Sequence, residues 1–572
     1  MKEEKMIHKT ILLTSTAIFA FSGIALAAPE NDLQQKYERL SENLEDVRAL
    51  LAAQDETLAS LEEDAEKWDL SSRIQLYGDL RARADYNETT VPTYYNAREV
   101  ALAMRNFGMV TQDTTPEQMF AAFNAFKAGY PTVAARQAAI IAGGGHIIDE
   151  HKLNNDTIYT TRLRLNMRAK ATENVEIKAR LVGYKVWGLQ SAAFPEEDDG
   201  VYSPYFLTSR SFDGTAGRQP EDSALLLDRA FMNWNNIAGL PIWFSIGRRP
   251  TTDGPPAHLR MGLDKRMATP INYMDYPFDG FSLGYAYRNP LELGGSGRVR
   301  FCYGRGFESG PNREGQGMND VDFAGLSWDI YKKGSRFINL ESFGAFNIFN
   351  VPGDTVYPNP IEYAAANDNN AADATPDTSY YGSEDLYLDR KNLGNIYHTS
   401  IIYMDKVADL NYFLTGGWSR TEAKGVDELG TSLLGSWGMP AEDKDGYGVY
   451  VGTRYDMDDI GLKLGAEFNW GSKNWLAFTP GHDDLYASKL YTRGKVYELY
   501  TVYDLPAGEK ISKYGKAFIR LGYQHYDYDY TYSGMWLGEP VKIETLDDPL
   551  NAQFYAQIKE MDQVYLTIET YF

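Results

Sequence analysis

Arg73-Ile74-Gln75-Leu76-Tyr77-Gly78-Asp79-Leu80-Arg81-Ala82-Arg83-Ala84-Asp85 is the stretch on which the fold turns. Every second residue in it is small or apolar and the residues between are almost all polar or charged, the two-residue period of a β-strand with one greasy and one wet face. The face carrying Ile74, Leu76, Leu80 and Ala82 suits lipid. The face carrying Arg73, Asp79, Arg81 and Arg83 does not, because one arginine on the lipid side at mid-membrane costs about 2–4 kcal/mol. The pattern returns in 161–171, where Leu163, Leu165, Met167 and Ala169 oppose Arg162, Arg164, Asn166, Arg168 and Lys170, and again from Val175 to Gly183.

Carried along the chain, the same reading predicts strands over 73–86, 159–172, 174–187, 224–236, 241–249, 278–288, 297–307, 320–331, 336–349, 395–406, 408–421, 446–457, 460–470, 493–504, 514–530 and 562–572. Each is long enough to cross a bilayer at a tilt. Tight turns such as Thr172-Glu173-Asn174, Ala238-Gly239-Leu240, Lys332-Lys333-Gly334 and Asp458-Asp459 alternate with long connections that begin at 88, 188, 250, 308, 350, 422, 471 and 531. Short turns on one side and long loops on the other are the asymmetry of an outer-membrane barrel. A secreted propeller would show a fixed repeat period, and none is found. The expected fold is therefore all-β: a transmembrane antiparallel up-and-down barrel of about sixteen strands, preceded by a short helical coiled coil.

Composition agrees. Tyrosine supplies 41 of 572 residues and 13% of the chain is aromatic, yet the mean hydropathy is −0.43. A barrel with interfacial aromatic girdles and a polar lumen accounts for both. No stretch after residue 28 approaches the roughly 18 consecutive apolar residues of a spanning helix. The net charge of −23 argues against nucleic acid as a partner. A single cysteine, Cys302, excludes intramolecular disulfides and points to a free thiol in a strand.

Residues 1–27 read as a signal peptide: Lys2, Lys5 and Lys9 precede an apolar run from Ile11 to Ile24, and Ala25-Leu26-Ala27 is an A-x-A cleavage site. In the following segment, 28–70, Leu33, Tyr37, Leu40, Leu44, Val47, Leu51, Gln54, Leu58 and Leu61 recur at alternating spacings of four and three. A lone helix would expose this stripe, so either self-association or folding back onto the same chain must cover it. Three strands are favoured by analogy with trimeric porins. Residues 71–572 then form the barrel with long external loops. Its last strand ends Leu566-Thr567-Ile568-Glu569-Thr570-Tyr571-Phe572. Leu566, Ile568 and the terminal Phe572 resemble the insertion signal read by the outer-membrane assembly machinery, with Thr570 departing from its usual apolar type.

Other segments carry a wider resemblance. Leu76-Tyr77-Gly78-Asp79-Leu80-Arg81-Ala82-Arg83, Ile246-Gly247-Arg248-Arg249-Pro250-Thr251-Thr252-Asp253-Gly254-Pro255-Pro256, Glu467-Phe468-Asn469-Trp470-Gly471-Ser472-Lys473-Asn474-Trp475 and Lys489-Leu490-Tyr491-Thr492-Arg493-Gly494-Lys495 resemble an uncharacterised bacterial outer-membrane family joining a brief coiled coil to a porin-like barrel. The resemblance implies location and fold rather than a substrate.

Function is then expected from the lumen. A barrel this wide holds water, so passive diffusion of small hydrophilic solutes across a Gram-negative outer membrane is the expectation. In strict alternation Arg81, Arg83, Arg162, Arg164, Arg168, Lys170, Lys178, Arg180, Arg298 and Arg300 face inward, a basic wall that would favour anions unless acidic residues pair with it. The 88–158 loop has helical character: Thr115-Pro116-Glu117 is a helix start, and Met119, Phe120, Phe123 and Phe126 form a stripe. It is expected to plug the lumen, cover the mouth or meet a neighbour. Tyr526, Tyr528 and Tyr530 share a face; an outward girdle is preferred over a sugar-stacking track. A barrel tethering the membrane to a periplasmic partner is the structural alternative.

No catalytic residue, metal site or cofactor is expected. His146-Ile147-Ile148-Asp149-Glu150-His151 is one residue too long for a zinc motif, Gly304-Arg305-Gly306 lacks a following helix, and the acidic Asn367 to Asp377 stretch lacks calcium-loop spacing.

Overall fold

The computed structural model describes residues 73–572 except 112–113, 115, 189–219, 221–222, 250–253, 265–272, 289–293, 312–318, 351–355, 358–385, 388–390, 428–429, 437, 480–482 and 507–514, together with a few helical positions between 37 and 47. The chain forms two compact units, Met1–Arg73 and Ile74–Phe572. In the first, Tyr37, Leu40, Leu44 and Val47 are helical and exposed. The signal peptide, Leu33, Leu51, Gln54, Leu58 and Leu61 lie outside the described residues, as does the 367–377 stretch.

In the second unit, sixteen strands among the described residues close into one antiparallel barrel. They are β1 (Ile74–Val91), β2 (His151–Lys170), β3 (Val175–Val186), β4 (Leu226–Trp234), β5 (Ile242–Arg249), β6 (Phe278–Arg288), β7 (Ser296–Phe307) and β8 (Val321–Lys333). The second half comprises β9 (Arg336–Phe349), β10 (Asn392–Val407), β11 (Leu410–Ala423), β12 (Lys444–Met457), β13 (Leu462–Gly471), β14 (Gly494–Asp504), β15 (Lys516–Tyr528) and β16 (Glu560–Tyr571). Each pairs with its sequence neighbours, and β1 meets β16 in the register Ala82 opposite Ile568, so no edge is left open.

Burial alternates as the sequence requires. Leu76, Leu80, Ile177, Leu283, Leu414, Leu499 and Ile568 point out, while Asp79, Arg81, Arg83, Arg164 and Arg180 point in and are buried. Two outward aromatic belts frame the apolar band. Trp234, Tyr285, Trp328, Tyr455 and Tyr503 lie toward the short turns, and Tyr86, Tyr159, Tyr447, Tyr497 and Tyr523 toward the long loops. An amphipathic ring is most stable where lipid meets water, which sets these heights.

Two predicted strands were too short. β1 runs to Val91 and β2 begins at His151, with Thr90 opposite Lys152. Beyond the lipid, protein covers both faces of this hairpin; Thr89, Thr90 and Val91 are all buried. The two-residue alternation that marks a lipid-facing strand therefore fades there.

Candidate functional site: the barrel lumen

Among the described residues, the lumen holds two inward-folded stretches of long loops, 254–264 after β5 and, after β13, 472–479 with 483–493. Neither is part of a strand ladder, so their carbonyls need other donors. The wall arginines supply them. Arg454 Nη1 donates to the carbonyls of Leu259 (3.0 Å) and Leu263 (3.1 Å), Arg520 Nη1 to that of Arg260 (2.8 Å), and Arg83 Nη1 to that of Asp483 (2.9 Å).

Apolar packing fixes the insertion. Trp475 is fully buried, meets Tyr273 edge-on at 4.7 Å between ring centroids, and donates through Nε1 to the Leu490 carbonyl at 2.8 Å. Gly417 and Gly448 make room for it: a Cβ at either would fall 2.4 and 2.6 Å from the indole ring. Leu259, Leu485, Leu490 and Tyr491 complete a core with the wall residues Phe413, Tyr450, Val496 and Tyr526.

Charge completes it. The Asp483 carboxylate accepts from Arg81, from Arg162 Nη1 at 3.0 Å and from Arg520 Nη2 at 2.9 Å. Burial alone would raise this carboxyl, but Arg81, Arg520 and Arg162 outweigh it and hold it well below the usual carboxylate range. Asp484 Oδ1 accepts from Arg260 Nη1 (2.5 Å) and Gln524 Nε2 (2.8 Å). Lys489 Nζ bridges Glu467 and Glu498, the latter at 2.5 Å, and Tyr565 donates to Glu498 at 2.6 Å.

The cations expected to form a basic wall lie among carboxylates. Arg81, Arg83, Arg162, Arg164, Arg180 and Arg300 are buried, whereas Arg168, Lys178 and Arg298 are partly exposed and Lys170 is exposed near the short turns. Besides the Asp483 contacts of Arg81 and Arg162, Arg83 pairs with Asp85 (2.7 Å), Arg164 with Asp79 (2.8 Å), Arg168 and Lys178 with Glu176 (2.7 and 2.6 Å), Arg180 with Asp228, Arg298 with Asp329, and Arg300 with Glu341 at 3.8 Å. The sequence shows which face these cations occupy and that Asp79, Asp85 and Glu176 share it, but not that Asp483 reaches Arg81 and Arg162 from the inserted loop.

Tyr526 and Tyr528 correct the preference for a girdle. Both are buried, stack at 5.9 Å, and lie on the lumen face, with the Tyr526 hydroxyl donating to the Ala487 carbonyl at 3.0 Å. No bulge turns them outward, and the inserted segment covers them.

The 92–150 connection folds outside the lumen as α1 (Ala97–Asn106), α2 (Pro116–Gly129) and α3 (Val133–Ala142). Asn96 caps α1 and Thr132 caps α3 through their side-chain oxygens. Met119 and Phe126, from the predicted stripe, join Tyr95, Met104 and Ile140 in a small core closed by Leu550 and Ala552 of the last loop. Arg136 clamps Asp548 with two bonds of 2.8 and 2.6 Å, and Phe120 lies against Gly438. The helices thus cap the long-loop end. His146 and His151 do not converge: one contacts Glu99 at 3.2 Å, the other the Asp149 carbonyl at 2.9 Å. Leu566, Ile568 and Phe572 all sit on the outward face. Phe572 and Gly78 exchange backbone hydrogen bonds of 3.0 Å.

Sequence reasoning missed Asp483, Asp484, Arg260, Lys489 and Trp475. A signal existed, because 475–491 carries Trp475, Leu476, Phe478, Leu485, Tyr486, Leu490 and Tyr491, too apolar for a solvated loop.

Residues 152–572 match the family described as "Protein of unknown function (DUF3373)". No curated protein matches the chain. Among solved structures it is similar to OprB of Pseudomonas putida, with 10% identity, TM-score 0.38 and coverage of 88% of this chain and 95% of that one. It is also similar to the outer membrane channel DcaP of Acinetobacter baumannii, with 11% identity, TM-score 0.36 and coverage of 87% and 97%. For an anion-selective porin from Comamonas acidovorans the values are 10%, 0.36, 87% and 99%.

Proposed function

The chain belongs to that family of unknown function, and we propose that it is a porin-type channel of a Gram-negative outer membrane. It passes small hydrophilic solutes by diffusion along the part of the lumen beside the inserted segments. One observation carries the reading: a closed wall that is apolar outside, belted by aromatics at two heights, and lined inside with buried charge. A wet interior in a lipid-spanning wall has its natural use in moving polar solutes. On β3–β9 the inward cations Lys178, Arg180, Arg229, Arg249, Arg298 and Arg300 outnumber the carboxylates Glu176, Asp228, Asp329 and Glu341, which supports a mild anion preference. A sugar track on Tyr526 and Tyr528 finds no support, since both are covered. The exposed helical positions Tyr37, Leu40, Leu44 and Val47 support a homo-oligomer, with three chains the favoured number.

The test is the purified protein in planar bilayers, with single-channel conductance and reversal potential recorded in a salt gradient. Ohmic conductance with a reversal potential on the anion side is expected. A barrel that never conducts would refute the channel, and cation selectivity would refute the anion preference.

A further inference from the structure

A cavity of about 90 Å³ lies on the lumen face of β5–β9, lined by Arg249, Arg300, Cys302, Phe278, Phe323 and Phe343. One water takes about 10–15 Å³ of such space, so the cavity holds several waters or the body of one small organic molecule. Its walls are of two kinds. Phe278 and Phe323 pack at 4.5 Å between centroids, with Phe343 beside them, making an apolar shelf. The same lining carries two guanidinium groups and the Glu341 carboxylate, which leaves one positive charge over when all three are ionised.

The surplus is localised. Arg300 is served by Ser327 Oγ at 2.8 Å and by Glu341 at 3.8 Å, and Glu341 accepts from Ser327 at 3.1 Å. Arg249 has no acidic partner among the described residues. Its Nε donates to Ser245 Oγ at 3.0 Å, and its Nη1 points to the Cys302 sulfur at 3.9 Å, a weak acceptor. A half-buried guanidinium beside an aromatic wall and without a carboxylate partner among the described residues favours an anion that can meet it.

We propose that this cavity binds a small organic monoanion, a carboxylate on an apolar or aromatic body, with Arg249 receiving the carboxylate and Phe278 and Phe323 holding the body. An inorganic anion would satisfy Arg249 but leave the aromatic shelf wet. A neutral ring would fill the shelf but leave the charge unmet. The inference deepens the channel reading by naming a solute class, and rests on it for the solute's route in.

Benzoate is the probe, with benzyl alcohol and chloride as controls, titrated calorimetrically into the full-length protein in detergent. Benzoate is expected to bind, benzyl alcohol and chloride at least tenfold more weakly, and Arg249→Gln to weaken benzoate about tenfold or more, as loss of a charge-assisted pair should. Cys302 is the chain's single cysteine, so its labelling by a methanethiosulfonate reagent gives a second readout on the unmutated protein. Benzoate is expected to slow that labelling at least threefold and benzyl alcohol to leave it unchanged. This decides the matter if Arg249→Gln fails to fold. No benzoate binding and no protection of Cys302 would overturn the proposal, as would chloride competing as well as benzoate. Binding retained by a barrel that conducts no current would refute the channel reading and leave the site standing.

Discussion

Replacing Asp483 by Asn tests whether charge holds the 472–493 segment in the lumen. Asp483 has a positive φ of 66°, a conformation asparagine tolerates, so Asp483→Asn keeps backbone and shape and removes only the charge. Three guanidinium groups lose their shared counter-ion. The side chains of Arg81, Arg162 and Arg520 are only 1%, 7% and 1% exposed, so water cannot replace it. Breaking one buried pair by removing a partner costs about 3–5 kcal/mol. The wall itself keeps its ladder of hydrogen bonds, so the cost falls on the insertion. At about 1.4 kcal/mol per factor of ten, amides in 472–493 should exchange with deuterium at least a hundredfold faster while those in β10–β16 stay protected. In bilayers, conductance should rise and the reversal potential should move further to the anion side. Unchanged exchange in 472–493, with conductance and selectivity as in the unmutated protein, would show that Asp483 does not anchor the segment.

Trp475→Ala should loosen the same segment through packing rather than charge, at about 3–5 kcal/mol for a fully buried indole, with faster exchange in 472–493 but selectivity unmoved. The Asp483 carboxyl is held below its ordinary range. Its pairing therefore contributes fully above the unfolded value near ~4 and is lost progressively as pH falls from there through the depressed one. Protection of 472–493, corrected for intrinsic exchange, should be equal at pH 7 and about pH 5; loss by about pH 5 would contradict the assigned direction. Deleting 28–66 should convert a cross-linked homo-oligomer into single subunits on gels.

The wall was legible because its cause is local. A strand between lipid and water must alternate, and Leu80-Arg81-Ala82-Arg83 does so whatever lies elsewhere in the chain. The alternation of short and long connections then sets handedness of exposure and an even strand count. Where lipid stops, legibility stops as well: β1 and β2 continue to Val91 and His151 on protein contacts alone.

By itself, then, the sequence determined the two-faced barrel, its strand order and the side from which its arginines project, since each follows from the period of neighbouring residues. Only the tertiary structure decided that Asp483 meets Arg81, Arg162 and Arg520. Asp483 lies 402 residues from Arg81 and 321 from Arg162. Whether a carboxylate there ends in water or among guanidinium groups depends on Trp475 finding the hollow left by Gly417 and Gly448. That is a matter of shape between a loop and the wall it folds against, which no local period encodes.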